Sequence, residues 1–159
     1  MNKKLIVYFS YTNNPKTIAE LIQKKLNCDI LRIETKVPYS NDYQTVVDDE
    51  QNSEASNHIP EIKDININLD EYDTIILGTP VWWYRPCPAI RAFLTKYDLS
   101  NKTIIPFATN AGWLGRTFKE IESLANKSTI KNEKNIVFES YSNNLKTNKQ
   151  EIESWIDKL

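Results

Sequence analysis

Leu5-Ile6-Val7-Tyr8-Phe9-Ser10-Tyr11-Thr12-Asn13-Asn14-Pro15-Lys16-Thr17 is the stretch on which the fold turns. Its first five residues are almost uninterruptedly apolar, as in a strand buried on both faces at the centre of a parallel sheet. A hydroxyl-rich turn follows. Asn14 then suits a helix cap and Pro15 a first helical position, where its missing N–H is no loss. Ile18, Ile22 and Leu26 recur every four residues and give this helix one apolar face.

Outward from this unit, apolar runs of strand length recur at residues 29–34, 74–78, 103–108 and 135–140, which with 3–9 makes five strands. Helical spacing lies between them, at Ile90, Phe93, Leu94 and Tyr97 after Pro88, and at Ile152, Trp155, Ile156 and Leu159. Thr117 with Glu120, and Thr147 with Gln150, read as capping boxes. In residues 37–68, Tyr43, Val46 and Val47 begin a helix with a solvated face, and the polar residues 48–57 lead into a long loop. Strands alternating with helices predict an α/β fold, a parallel sheet covered on both sides to form a three-layer α/β/α sandwich. The 159 residues amount to one domain, 1–159.

Twenty basic against twenty-one acidic residues leave a net charge of −1, which argues against a nucleic-acid partner. Lys3 and Lys4 precede only five apolar residues, too few for a signal peptide core or a membrane span. Cys28 and Cys87 are far apart and form no metal-binding spacing, so a reducing, cytoplasmic setting is expected without membrane association. His58 is the sole histidine and lies in a polar stretch, a loop position rather than a catalytic one. No P-loop and no dinucleotide glycine pattern occurs. Cys87 and Arg91 are too close for a tyrosine-phosphatase loop, and Ser10 and Thr79 stand where a receiver domain needs acids.

In a sheet of this kind ligands bind beyond the carboxyl ends of the strands. After the first strand, Ser10, Thr12, Asn13, Asn14, Pro15, Lys16 and Thr17 join hydroxyls to a helix N-terminus; this suits a phosphate, or is an ordinary capped turn. After the third come Thr79, Pro80, Val81, Trp82, Trp83 and Tyr84, three aromatics that cannot all face one core. They cover a planar ligand or plug the sheet end. After the fourth come Thr109, Asn110, Ala111, Gly112, Trp113 and Gly115, with two of the chain's three glycines. There the backbone turns tightly or approaches something closely. An anion site beside two aromatic walls matches an aromatic heterocycle bearing one phosphate.

These segments, in this order, resemble the flavodoxins, the likeness running from residues 5–10 through 72–78 and Trp82-Trp83 to 106–109 and the Trp155 helix. The resemblance implies a five-stranded parallel sheet of order 2-1-3-4-5 with FMN at its switch point, the arrangement known for that family. It implies that Ser10, Thr12, Asn14 and adjoining amides hold the FMN phosphate, and that 79–84 and 109–115 hold the isoalloxazine ring. Two departures stand out in the phosphate loop. Asn13 replaces a glycine, tolerably for a left-handed position, and Pro15 removes an N–H and a hydroxyl, for which Lys16 or Thr17 would compensate. A third lies beside the ring, where residues 80–86 lack the glycine that tolerates positive φ; this predicts two-electron rather than one-electron chemistry.

The expected function is that of an FMN-binding protein in electron transfer, or a small FMN-dependent oxidoreductase of the NAD(P)H:quinone or flavin reductase type. Its partner would be a redox protein or a small-molecule electron acceptor. Backbone amides of 110–115 would meet the ring's pyrimidine edge, with Arg85 or Arg116 as candidate charges. The alternatives are a non-enzymatic electron carrier, for which Asp42, Asp48, Asp49, Glu50 and Glu54 offer an acidic run, and a domain that has lost FMN. The cysteines read as small apolar fillers, with reactivity at Cys87 a lesser alternative. A homodimer sharing the pocket is left open.

Overall fold

The computed structural model describes residues 3–56 and 58–159; Asn57, the end of the expected polar stretch, lies outside the described residues. β1 (Lys4–Tyr8) runs through the middle of the sheet, with β2 (Asp29–Arg32) parallel on one side and β3 (Thr74–Trp82) parallel on the other. β5 (Thr103–Asn110) pairs with β3, and β7 (Lys134–Val137) pairs in parallel with the far end of β5. The five expected strands thus stand in the order 2-1-3-4-5. Two short segments go beyond expectation: β6 (Thr129–Ile130) pairs with the start of β5, and β4 (Arg85–Pro86) folds back antiparallel on the end of β3.

Period-two alternation divides the core. Leu5, Val7, Ile75, Leu77 and Ile104 face α3 (Pro88–Lys96) and α4 (Thr117–Leu124). Ile6, Tyr8, Ile76, Ile105 and Phe107 face α1 (Asn14–Leu26) and α5 (Lys149–Ile156), which present Ile18, Ala19 and Ile22, and Ile152, Trp155 and Ile156. Helices therefore cover both faces, the expected three layers. α2 (Tyr43–Ser56) extends over much of the polar run, and of its described side chains only Val46 and Glu50 are buried.

The expected helix caps shift. Asn13, left-handed at φ 72°, is the cap of α1, and Asn14 is its first residue. Thr117 lies inside α4, its hydroxyl donating to the Leu114 carbonyl, while Glu120 pairs with Arg85. Asn148 caps α5 by accepting from the Gln150 amide, because the Thr147 hydroxyl accepts from the Val137 amide at 2.7 Å. Glu120 and Thr147 are thus held by partners more distant in the chain than the caps they were expected to make. Among the described residues no helix is long and apolar enough to cross a membrane.

β3 reaches the ligand end of the sheet over Gly78, where the Phe107 ring of the neighbouring strand lies across the missing side chain. A Cβ there would stand 2.3 Å from the Phe107 ring. Phe107 is fully buried and meets Trp155 edge-on at 6.1 Å, so it cannot swing away. Gly78→Ala should lower stability by about 1–3 kcal/mol, read as a reduced urea midpoint; an unchanged midpoint would show that the ring adapts.

Candidate functional site

The carboxyl ends of β1, β3 and β5 open into one cleft of about 820 Å³, within the usual range for small-molecule sites. It is lined by Tyr11, Thr12 and Asn14 from the first loop, residues 80–84 from the second, and Thr109, Asn110, Ala111 and Trp113 from the third. Ser10, Asn13, Pro15, Lys16, Thr17, Thr79, Gly112 and Gly115 are not in the lining. Two walls were missed by strand-end reasoning: Tyr43, Gln44, Val46, Val47 and Glu50 of α2, and residues 138–143 beyond β7. Both carried a signal, since the first recurs at helical spacing and the second is the polar end of the fifth strand.

At the start of α1 the local pattern leaves donors unused. Asn13 makes no side-chain capping bond, and the Lys16 amide donates instead to the Ser10 hydroxyl at 3.2 Å. Pro15 has no N–H. The amides of Thr12, Asn13 and Asn14 find no acceptor among the described residues. These N–H groups stand at the positive end of a thirteen-residue helix, an arrangement that favours an anion. Of the two residues expected to compensate, the Lys16 ammonium pairs with Glu20 at 3.3 Å, and the Thr17 hydroxyl donates to the Asn13 carbonyl. Asn14 donates its side-chain N–H to the Ser142 carbonyl at 3.1 Å and so joins the loop beyond β7 to the helix start.

The aromatic loop divides its work. Trp82 meets Phe9, Tyr11 and Tyr39 edge-on at 5.2–6.2 Å and is built into the wall. Trp83 and Tyr84 form the corners of a two-residue hairpin between β3 and β4, and remain exposed by 39 % and 57 %. Their φ values are 55° and 65°. Positive φ at both corners is what such a hairpin requires, and it is unfavourable for bulky side chains. The lack of glycine in residues 80–86 therefore does not keep the backbone out of the left-handed region. The surroundings hold it there: the Arg116 amide donates to the Tyr84 carbonyl at 2.9 Å, and Arg85 donates through Nε to both Glu120 carboxylate oxygens at 2.9 Å. Gly115, at φ 57°, packs so tightly on Tyr84 that a Cβ would lie 2.4 Å from the Tyr84 Cβ. The close approach expected of this glycine is thus to the protein's own hairpin, and Arg85 is committed to Glu120.

Thr79 is fully buried, its hydroxyl accepting from the Cys87 amide and donating to the Pro80 carbonyl, so it shapes the loop from behind. In the third loop Asn110 donates to the Asn135 side chain and accepts from the Gly112 amide, and Trp113, 60 % exposed, stands at the rim. Burial raises the Cys87 thiol to about 11, which leaves it protonated at neutral pH and fits the filler reading. Burial likewise raises the Glu50 carboxyl, opposed by the nearby Arg91 guanidinium, and holds the Tyr39 phenol well above its ordinary range.

The family model described as flavodoxin matches residues 3–159. The chain belongs to the flavodoxin family. Among solved structures, a candidate flavoprotein from Bacteroides eggerthii is 26 % identical, with 99 % of this chain and 98 % of that one covered at a TM-score of 0.77. A second candidate flavoprotein, from Bacteroides uniformis, is 24 % identical over 98 % of both chains, also at 0.77. A flavoprotein from Lactobacillus acidophilus, solved in complex with FMN, is 23 % identical over 85 % of this chain and 93 % of that one, at 0.74. No curated protein matches. For this flavodoxin relative the strained hairpin makes a direct prediction: Tyr84→Gly, which removes an exposed ring and a left-handed Cβ, should raise stability by roughly 1 kcal/mol. A higher melting temperature would bear this out, and a lower one would place the ring's packing above the backbone strain.

Proposed function

We infer that this flavodoxin-family chain binds FMN in the cleft and works as a redox protein, a small FMN-dependent oxidoreductase of the NAD(P)H:quinone or flavin reductase type. One observation carries the reading: three amides without acceptors at the positive end of α1 adjoin an aromatic-rimmed cleft of about 820 Å³. FMN pairs the same two features, a phosphate and a planar heterocycle, and the residues present fit it. The FMN complex of the Lactobacillus acidophilus protein supports the assignment by analogy of fold.

FMN supplies hydride and single-electron chemistry when bound. The amides of Thr12, Asn13 and Asn14, with the hydroxyls of Ser10 and Thr12, hold the phosphate. Trp83, Tyr84 and Trp113 orient the ring and keep water from it. The Ala111 and Trp113 amides, which have no acceptor among the described residues, face the polar edge of the heterocycle. The carrier alternative is weakened at Glu50 of α2, which is buried and so adds nothing to a free acidic face.

Titration of FMN with purified protein should show saturable quenching of flavin fluorescence, with riboflavin bound at least about tenfold more weakly for want of the phosphate. Absence of FMN uptake would establish a domain that has lost the cofactor. Pro15→Thr, which restores an N–H and a hydroxyl at the helix start, should tighten FMN about tenfold, the worth of one hydrogen bond to a charged group. An unchanged affinity would show that the proline is not limiting.

A further inference from the structure

Among the described residues that line the cleft there is no lysine, arginine or histidine, so a bound anion is met by backbone and by groups standing behind the lining. One cation touches the phosphate loop from behind. Arg32, the last residue of β2, donates through Nη2 to the Ser10 carbonyl at 2.8 Å. Its guanidinium lies 5.9 Å from the centre of the Tyr8 ring and forms no ion pair among the described residues.

This bond completes an interrupted ladder. The Tyr8 carbonyl accepts from the Ile33 amide at 2.8 Å, and the next rung of a parallel pair, two residues on, would carry the Thr35 amide to the Ser10 carbonyl. The chain leaves before that rung. Thr35 stands antiparallel to Ile62, with the Lys36 amide donating to the Glu61 carbonyl, and the Arg32 side chain takes the vacated place. A trans peptide holds its C=O and N–H on opposite edges, so a Ser10 carbonyl held toward β2 turns the Tyr11 amide toward the β3 side of β1. One rung earlier the Phe9 amide points the same way and donates to the Gly78 carbonyl at 3.2 Å. The Tyr11 amide finds no such acceptor among the described residues, and Tyr11 lines the cleft.

We propose that Arg32 is a positioning residue for the flavin phosphate, acting through the Ser10–Tyr11 peptide, which it holds so that the Tyr11 amide joins those of Thr12, Asn13 and Asn14 as a fourth donor. The inference rests on the FMN reading and adds to it a residue from outside the loop. Ser10 is fixed twice, its hydroxyl accepting from the Lys16 amide at 3.2 Å and its carbonyl from Arg32. A charged donor binds the carbonyl more strongly than the backbone rung it replaces, and it polarises the peptide so that the N–H on the far edge donates better. Arg32 is exposed, so solvent screens its charge at longer range and the bond carries the effect. Riboflavin has no phosphate for this donor to hold. Arg32 should therefore favour FMN over riboflavin.

Equilibrium dialysis of the purified protein against FMN and against riboflavin tests this. Arg32→Met removes donor and charge while leaving a side chain to pack on Tyr8. The ratio of FMN to riboflavin affinity should fall about tenfold, the worth of one hydrogen bond to a charged group. Should Arg32→Met fail to fold, Arg32→Gln, uncharged and shorter, decides by the same ratio. In amide-resolved NMR of the wild type, the Tyr11 signal should move further with FMN than with riboflavin. A ratio that falls by less than about threefold, including equal weakening of both flavins, would overturn the proposal, since a merely structural arginine would not tell the two apart. Equal displacement of the Tyr11 amide by both flavins would overturn it as well. Wild-type protein that takes up no FMN would overturn the functional reading and the inference with it, whereas the other outcomes leave the functional reading standing.

Discussion

The cleft depends on unsatisfied backbone at the start of α1. A helix begins with N–H groups that have no partner inside it, and a capping side chain usually covers some of them. Here Asn13 occupies the cap position without a side-chain bond, and the serine hydroxyl that accepts from Lys16 comes from the end of β1. Thr12, Asn13 and Asn14 are left as donors at the positive end of a dipole. The parallel register sets them beside the last residues of β3 and β5, because the three strands start in step and β3 and β5 run on past the end of β1.

A second constraint works from the other side. The hairpin that carries Trp83 and Tyr84 occupies a backbone region unfavourable for both, at about 1 kcal/mol or more per residue. It persists because three neighbours act on two consecutive residues: Gly115 closes on Tyr84, the Arg116 amide holds the Tyr84 carbonyl, and Glu120 holds Arg85. α4 thus serves as a buttress for the aromatic rim. This explains why Glu120 does not complete a capping box, since its carboxylate is bound across the molecule.

How much was legible in the sequence follows from the range of the forces involved. The strands and both core faces were readable because strand alternation and helical spacing are local patterns that burial reinforces, whereas the sheet order came with the resemblance to the flavodoxins. Three of the cleft's walls were readable for the same reason, as ligands gather at strand ends. Caps were misplaced by one residue, at α5 because the Thr147 hydroxyl found a partner in the Val137 amide. The left-handed corners at Trp83 and Tyr84 were illegible because nothing about two aromatics suggests them. Gly115, thirty-one residues beyond Tyr84, makes room for that turn. The α2 wall went unrecognised despite its helical spacing because Glu50 looked like one of several surface acids, and its burial arises from packing rather than from its neighbours in the chain.

One measurement bears most directly on the amides at the α1 start. In amide-resolved NMR of isotope-labelled protein, FMN should move the Thr12, Asn13 and Asn14 amide signals together with the Trp83 and Trp113 indoles, whereas riboflavin should move the indoles and leave those three amides in place. Amides at 12–14 that stay fixed while FMN binds would contradict the account, because the phosphate would then be held elsewhere.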